Sequence, residues 1–205
     1  MASAKTSHQR KAARAAVLAG RVQRADARRN RQRVLDAARK LFVERGLEAP
    51  VEEIAAAAGV GVGTVYRHFP TKEDLFAALI EYRFLALASA AREALAEADP
   101  WGSFATFMRR SAQLIVEDRG VSEAMDQRPA ICDEAASKSE LRELSGALLA
   151  RAQEAGAVRP DVVQSDIPNL LCGLGRATGA RESALQSWER YVEIMLAGLR
   201  APDAS

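Results

Sequence analysis

Apolar residues recur along most of this chain at helical spacing, and no run alternates in the manner of a strand. Val34, Leu35, Ala38, Leu41 and Phe42 fall at i, i+1, i+4, i+7 and i+8, which predicts a helix beginning near Arg28. Arg31, Arg33, Arg39 and Lys40 lie off that stripe, and Gly46 supplies a left-handed stop. Val51, Ile54, Ala55 and Ala58 mark a second, short helix with Pro50 in its first turn and Gly59 at its end. A third carries Val65 and Phe69 inward and stops at Pro70. Thr71 and Asp74 then form a capping box. The fourth helix, bearing Leu75, Phe76, Leu79, Ile80 and Phe84, runs toward Glu97, a length suited to joining two domains.

The step DPWGSF at Asp99–Phe104 breaks that helix, and only helical periods follow. Phe104, Phe107, Met108, Leu114 and Ile115 mark one. The stretch from Glu123 to Ile131 around Pro129 reads as short or irregular. Leu141, Leu144, Leu148 and Leu149 mark another, closed near Gly156. Pro160 and Asp161 introduce a segment through Leu170, Leu171 and Leu174, and a last helix carries Leu185, Trp188, Tyr191, Val192, Met195, Leu196 and Leu199. The fold expected is all-α with about nine helices.

Composition agrees, because Leu and Ala dominate the apolar residues while aromatics are only 5%. Charge adds something new. Residues 1–70 hold fourteen Lys/Arg against six Asp/Glu, whereas the remainder holds fifteen against twenty-one. A basic segment on a mildly acidic body fits a polyanionic partner, although a solvated tail gives the same count. Residues 1–27 lack a steady apolar period. They read as a basic, disordered arm with Ala-rich stretches able to become helical.

Other chemistries are excluded by what the chain holds. Cys132 and Cys172 are far apart without metal spacing and read as inert buried thiols, as in a reducing cytoplasm. No metal site or cofactor is expected. The two histidines are His8 in the arm and His68, so no Ser/His/Asp or Cys/His set fits the second half, and an enzyme is not expected. A carboxylate pair is the one catalytic arrangement that the acidic residues leave open. No apolar run approaches a membrane span.

The stretch GVGVGTVYRHFP, residues 59–70, resembles a phosphate cradle at first sight. A dinucleotide loop needs a strand before it, and a P-loop needs GK followed by Ser or Thr. This loop follows an Ala-rich helix with GxGxG spacing instead. Helix, tight glycine turn and short helix make a helix-turn-helix unit, whose second helix can enter a major groove. Gly61 and Gly63 keep that helix start slim, and the phosphate in question becomes that of DNA.

Residues 31–80, with LFVERG, IAAAAGVGVGTVYRHF and the following KEDL, resemble the DNA-binding domain of the TetR family of transcriptional regulators. PWGSFATFMRR, ARAQEAGAVRPDV and ERYVEIMLAGLR resemble the C-terminal domain of the SbtR-like branch. The implied organisation is an arm at 1–27, a DNA-binding domain at 28–85 with its helix-turn-helix at about 50–69, and a ligand-binding and dimerisation domain at 86–200. The resemblance implies a cytoplasmic homodimer, nucleoid-associated when bound, on a palindromic double-stranded operator, with a small-molecule effector releasing DNA.

By position, Thr64 matches a base- or backbone-contacting threonine, Tyr66 and His68 match phosphate-contacting positions, and Lys72 matches a phosphate-binding lysine at the fourth helix. Val62 offers a methyl contact to thymine, and Gly63 lets the backbone approach. Arg67, Arg28 and Arg29 are the remaining candidates for DNA contact. Each has a structural alternative as packing or solvated charge. Phe104, Phe107, Met108, Met125 and Arg176 are candidates for the ligand pocket, with core packing, or an internal acidic partner for Arg176, as the alternative. Leu170, Leu174, Tyr191, Met195 and Leu199 are candidates for the dimer interface. The competing function is a helical dimeric scaffold or small-molecule binder that does not touch DNA.

Overall fold

Two glycines and two prolines divide the first seventy residues into three helices. In the computed structural model, which describes residues 2–179 and 188–202, with side chains from residue 21 onward except Val22, α1 spans Ala2–Arg45. It ends at Gly46, whose φ of 77° favours glycine. Helix α2 spans Val51–Ala58 behind Pro50, and α3 spans Val62–His68. Helix α4, Lys72–Leu95, starts at the expected box: Asp74 N donates to Thr71 Oγ1 at 3.1 Å and Thr71 N to Asp74 Oδ2 at 2.9 Å.

Helix α1 crosses the segment read from sequence as a disordered arm. Ala and Arg are strong helix formers, and residues 2–31 contain no proline, which accounts for the continuity. The side chains of Lys5, Arg10, Lys11 and Arg14 lie outside the described residues, as does Leu185 of the expected last helix.

Asp99 caps α5, Pro100–Glu117, by accepting from Gly102 N at 2.8 Å. The stretch expected to be short or irregular is two short helices, α6, Arg119–Gln127, and α7, Pro129–Lys138. Proline at 129 starts the second where the first stops. Helix α8, Leu141–Glu154, leads to Gly156 with φ 67°, α9 spans Asp166–Gly179, and α10 spans Trp188–Leu199. The described residues thus form ten helices and one isolated bridge between Val158 and Arg200. None of these helices is long and apolar enough to cross a membrane.

The described residues form two cores. The first joins Val34, Leu35 and Phe42 of α1 to Ile54, Val65, Phe69, Leu75, Phe76 and Ile80. The second joins Ala91 and Ala94 to Phe104, Met108, Leu148, Leu149, Val192 and Leu196. Helix α4 enters both, as its length implied. The boundary near residue 85 is less simple than the sequence reading had it. Val121 and Ala124 of α6 belong to the first core, and Met125, Ile131 and Ala135 pack against it.

Candidate nucleic-acid interface and internal cavity

The turn between α2 and α3 is fixed from both sides. Gly59 takes φ 62°, while Val60 N reaches back to Ala55 O at 3.0 Å and closes the end of α2. Arg33 of α1 donates to Gly59 O at 3.2 Å, so α1 braces the turn. Buried Val65 and Phe69 anchor α3, and Arg31 lies 5.2 Å over the Phe69 ring.

That anchoring turns the remaining α3 side chains outward. Tyr66 is 46% exposed, Arg67 is exposed, and Thr64 and His68 are half-buried. Arg67 Nη2 is 3.4 Å from Thr64 Oγ1. A Cβ at Gly61 or Gly63 would meet nothing within 4 Å, so the start of α3 is open to an approaching surface. Val62 is half-buried and packs partly on the first core, which limits what it can offer a base. Burial, and then the charges of Arg67 and Arg31, hold His68 below the ordinary imidazole value. Lys72 Nζ stands 3.8 Å from exposed Glu48 and 6.0 Å from the Phe76 ring centre. Arg28 and Arg29 are exposed on α1, with Arg29 paired to Asp26.

Behind this unit lies a cavity of about 880 Å³, within the range of drug-sized ligand sites. Phe107, Met125 and Arg176 line it, whereas Phe104 and Met108 do not and are wholly buried in the second core. Phe107 is also buried in the second core, so the core and the cavity wall share it, whereas Phe104, three residues back on the same stripe, does not reach the cavity. Arg176 is exposed and bonded to Asp126 at 2.8 and 3.2 Å. Cys132 and Cys172 also line the cavity; neither is fully buried as the sequence led one to expect, Cys132 being half-buried and Cys172 exposed, and desolvation by the surrounding wall pushes each thiol up. No group of three or more His, Cys, Asp or Glu among the described residues is placed to hold a metal ion.

Helix α6 forms one cavity wall and also grips the first domain. Gly120 lies so close to α1 that a Cβ there would fall 2.7 Å from Phe42 Cβ and 2.8 Å from its carbonyl carbon. Arg119 Nη2 donates to Val43 O at 3.0 Å. Asp118, just before α6, accepts from Arg39 Nε at 2.8 Å and lies 3.6 Å from Arg83 of α4. At the other end, Arg128 makes two bonds to Glu73, beside Lys72, and stacks 3.8 Å from the Phe76 ring centre. The Arg128 guanidinium holds the Glu73 carboxyl below its usual value. Sequence reasoning missed Arg83, although its place between Leu79 and Leu87 at i±4 is a core-facing signal.

The candidate interface residues divide. Leu174 and Leu199 are buried in the chain's own second core, and Met195 packs partly against it. Leu170 and Tyr191 are exposed, and Ile194, not foreseen, is 58% exposed. Leu170, Gly173 and Ala177 on α9 follow i, i+3, i+7, as do Tyr191, Ile194 and Gly198 on α10. All six are exposed, and a Cβ at either glycine would meet nothing within 4 Å.

Comparison with known proteins gives a consistent result. Residues 34–79 match the family described as bacterial regulatory proteins, tetR family. Residues 99–201 match the transcriptional regulator SbtR-like C-terminal domain. An HTH-type transcriptional regulator of Staphylococcus aureus is 51% identical over 53 residues, which are 25% of this chain and 29% of that protein. That match therefore covers less than a third of the curated relative. The fold is similar to the crystal structure of a TetR regulatory protein from Mycobacterium vanbaalenii, with TM-score 0.66, 38% identity, and 87% and 99% of the two chains covered. A TetR regulator from Streptomyces coelicolor gives TM-score 0.64 and 32% identity, covering 85% and 99%.

Proposed function

The chain belongs to the TetR family of bacterial transcriptional regulators, and from that premise we propose a ligand-responsive repressor that binds a palindromic operator as a homodimer. Family and fold point to a regulator rather than to an enzyme, and such a protein works in the cytoplasm on the nucleoid. The observation that carries the reading is the open face of α3: exposed Tyr66 and Arg67 beside a glycine-slim helix start on a braced turn. Lys72 completes that surface from the start of α4, with Arg28 and Arg29 on α1 available to the flanking backbone or minor groove.

Two further features support the finer statements. The open apolar faces of α9 and α10 suit a four-helix contact with a second copy, and Gly173 and Gly198 permit close helix approach. Helix α6 touches the cavity, α1 and the start of α4, so occupancy of the cavity can shift the spacing of the recognition helices.

The test selects bound fragments from random DNA and measures affinity for the recovered site against salt. A palindromic site and a steep salt dependence are expected. Lys72→Ala should weaken binding to all sequences alike and lower the salt slope by about one unit. An unchanged slope would remove Lys72 from the interface. Recovery of no preferred sequence would favour the scaffold reading.

A further inference from the structure

Among the described residues, two buried side-chain polar atoms lack a hydrogen-bond partner: Arg83 Nε and Ser111 Oγ. Buried polar groups are rarely left unmet. Both residues line the same cavity, one from α4 and the other from α5.

Arg83 is also poorly matched in charge. Its Nη2 donates to the main-chain oxygen of Asp118 at 2.9 Å, but the Asp118 carboxylate is 3.6 Å away and already bonded to Arg39 at 2.7 and 2.8 Å. Two cations thus share one carboxylate. Burial opposes Arg39, yet the bond and charge of Asp118 still carry it above the ordinary guanidinium value. Burial pushes Arg83 down to about 10, with Asp118 only partly compensating and Arg39 adding to the fall. Arg83 therefore remains charged near neutrality with little to balance it.

The rest of the lining has the same sign. Arg119, Arg142 and Arg176 join Arg83 against Glu123 and Asp126, and Asp126 is occupied by Arg176. The remaining wall includes Phe84, Leu87, Phe107, Ile115 and Leu171, a surface for an apolar body. A carboxylate accepts hydrogen bonds and carries one negative charge, which meets the needs of one guanidinium edge and one hydroxyl. An amine would be repelled.

We propose that the cavity binds an amphipathic carboxylic acid, with its carboxylate accepting from Arg83 and Ser111 and its apolar body along the Phe107 and Leu171 wall. The inference rests on the ligand-responsive reading above. It also places the acid beside Asp118, the group that fixes Arg39 of α1, so the ligand acts on the joint between the two domains.

The test is calorimetric titration of the full chain, without DNA, using octanoate, dodecanoate, hexadecanoate and cholate, each against its methyl ester. At least one acid is expected to bind roughly tenfold or more tightly than its ester. Ser111→Ala should weaken that acid by about three- to tenfold and leave the ester unchanged. Arg83→Lys, which keeps the charge and loses Nε, should weaken it further. If that variant melts early, Ser111→Ala carries the test alone. No acid binding, equal binding of acid and ester, or an acid affinity unmoved by Ser111→Ala each overturns the proposal. Affinity of the ligand-free protein for selected DNA is measured separately. Specific DNA binding without acid binding defeats only this inference, whereas acid binding without it defeats the regulator reading and leaves the acid site standing.

Discussion

The two cores share α4 and differ in how they finish. The first closes around Phe42, Ile54, Leu75, Phe76 and Ile80, with a tilted Phe42–Phe76 ring contact at 5.2 Å. The second closes around Phe104, Met108, Leu148 and Leu196, and most of the wall of the adjoining cavity comes from its side, with Phe42 and Val43 of α1 reaching the other edge. Among the described residues, the buried unmet atoms, Arg83 Nε and Ser111 Oγ, sit on two residues that line that cavity. A domain that must hold recognition side chains at fixed positions benefits from crystal-like packing. A domain that accepts a guest must keep room and unmet polar groups for it. In the function proposed above, rigidity serves the reading of DNA and openness serves sensing.

The strongest way to break that contrast is to attack the outer face of the second domain while leaving the first intact. Ile194→Asp places a charge on an exposed apolar face, so the subunit should still fold. Leu199→Asp would instead bury a charge in the second core. The Ile194 variant is expected to be a helical monomer whose operator affinity drops toward the sequence-independent level, a loss of roughly a thousandfold or more. Sedimentation and circular dichroism check the first half, and anisotropy with operator DNA the second. A variant that remains dimeric would move the interface off α10.

How far the sequence exposed this architecture follows the same division. Gly46, Gly59, Thr71 and Asp74 act through local backbone geometry, so the helix ends of the first domain could be read directly. The α3 surface was legible for a related reason: Val65 and Phe69 had to face inward, which left Thr64, Tyr66, Arg67 and His68 near the surface. The cavity was not. Met108 and Phe107 are adjacent residues of one apolar helix and both enter the second core, and that only Phe107 also touches the cavity is settled by tertiary packing. Arg83 and Asp118 are 35 residues apart and meet only after α4, α5 and α6 have packed. Leu174 and Leu170 differ by one helical turn, a phase that apolar spacing alone does not assign to core or partner. For the basic arm, high helix propensity without an apolar stripe does not say whether α1 continues.

A smaller perturbation sharpens the contrast from the other side. Gly63 is the second residue of α3, and a Cβ there meets nothing in the protein. Gly63→Ala should therefore leave the fold unstrained and raise its stability by up to about 1 kcal/mol through helix propensity. If the open helix start is where DNA backbone or bases approach, the same methyl should lower operator affinity, by about tenfold. Thermal melting and anisotropy measured together separate the two effects. Greater stability with unchanged affinity would mean that DNA does not come close to Gly63.

The smallest expected effect concerns His68, where the first domain's packing and its DNA face meet. In the free protein, burial followed by Arg67 and Arg31 holds this imidazole below its ordinary value, so it is mostly neutral near pH 7. A neighbouring phosphate would favour the charged form and raise the pKa in the complex. Binding then takes up a proton, and affinity should increase as pH falls through the ordinary histidine range near ~6.5. The gain should level off once the free protein is protonated as well. Its size is set by how far the phosphate raises the imidazole pKa above that of the free protein. His68→Gln keeps a hydrogen-bonding group that does not titrate there, and should flatten the profile while leaving affinity at pH 8 nearly unchanged. Equal pH profiles for the two proteins would assign His68 to packing against Phe69, its 6.3 Å ring neighbour, and leave the phosphate contacts to Tyr66 and Lys72.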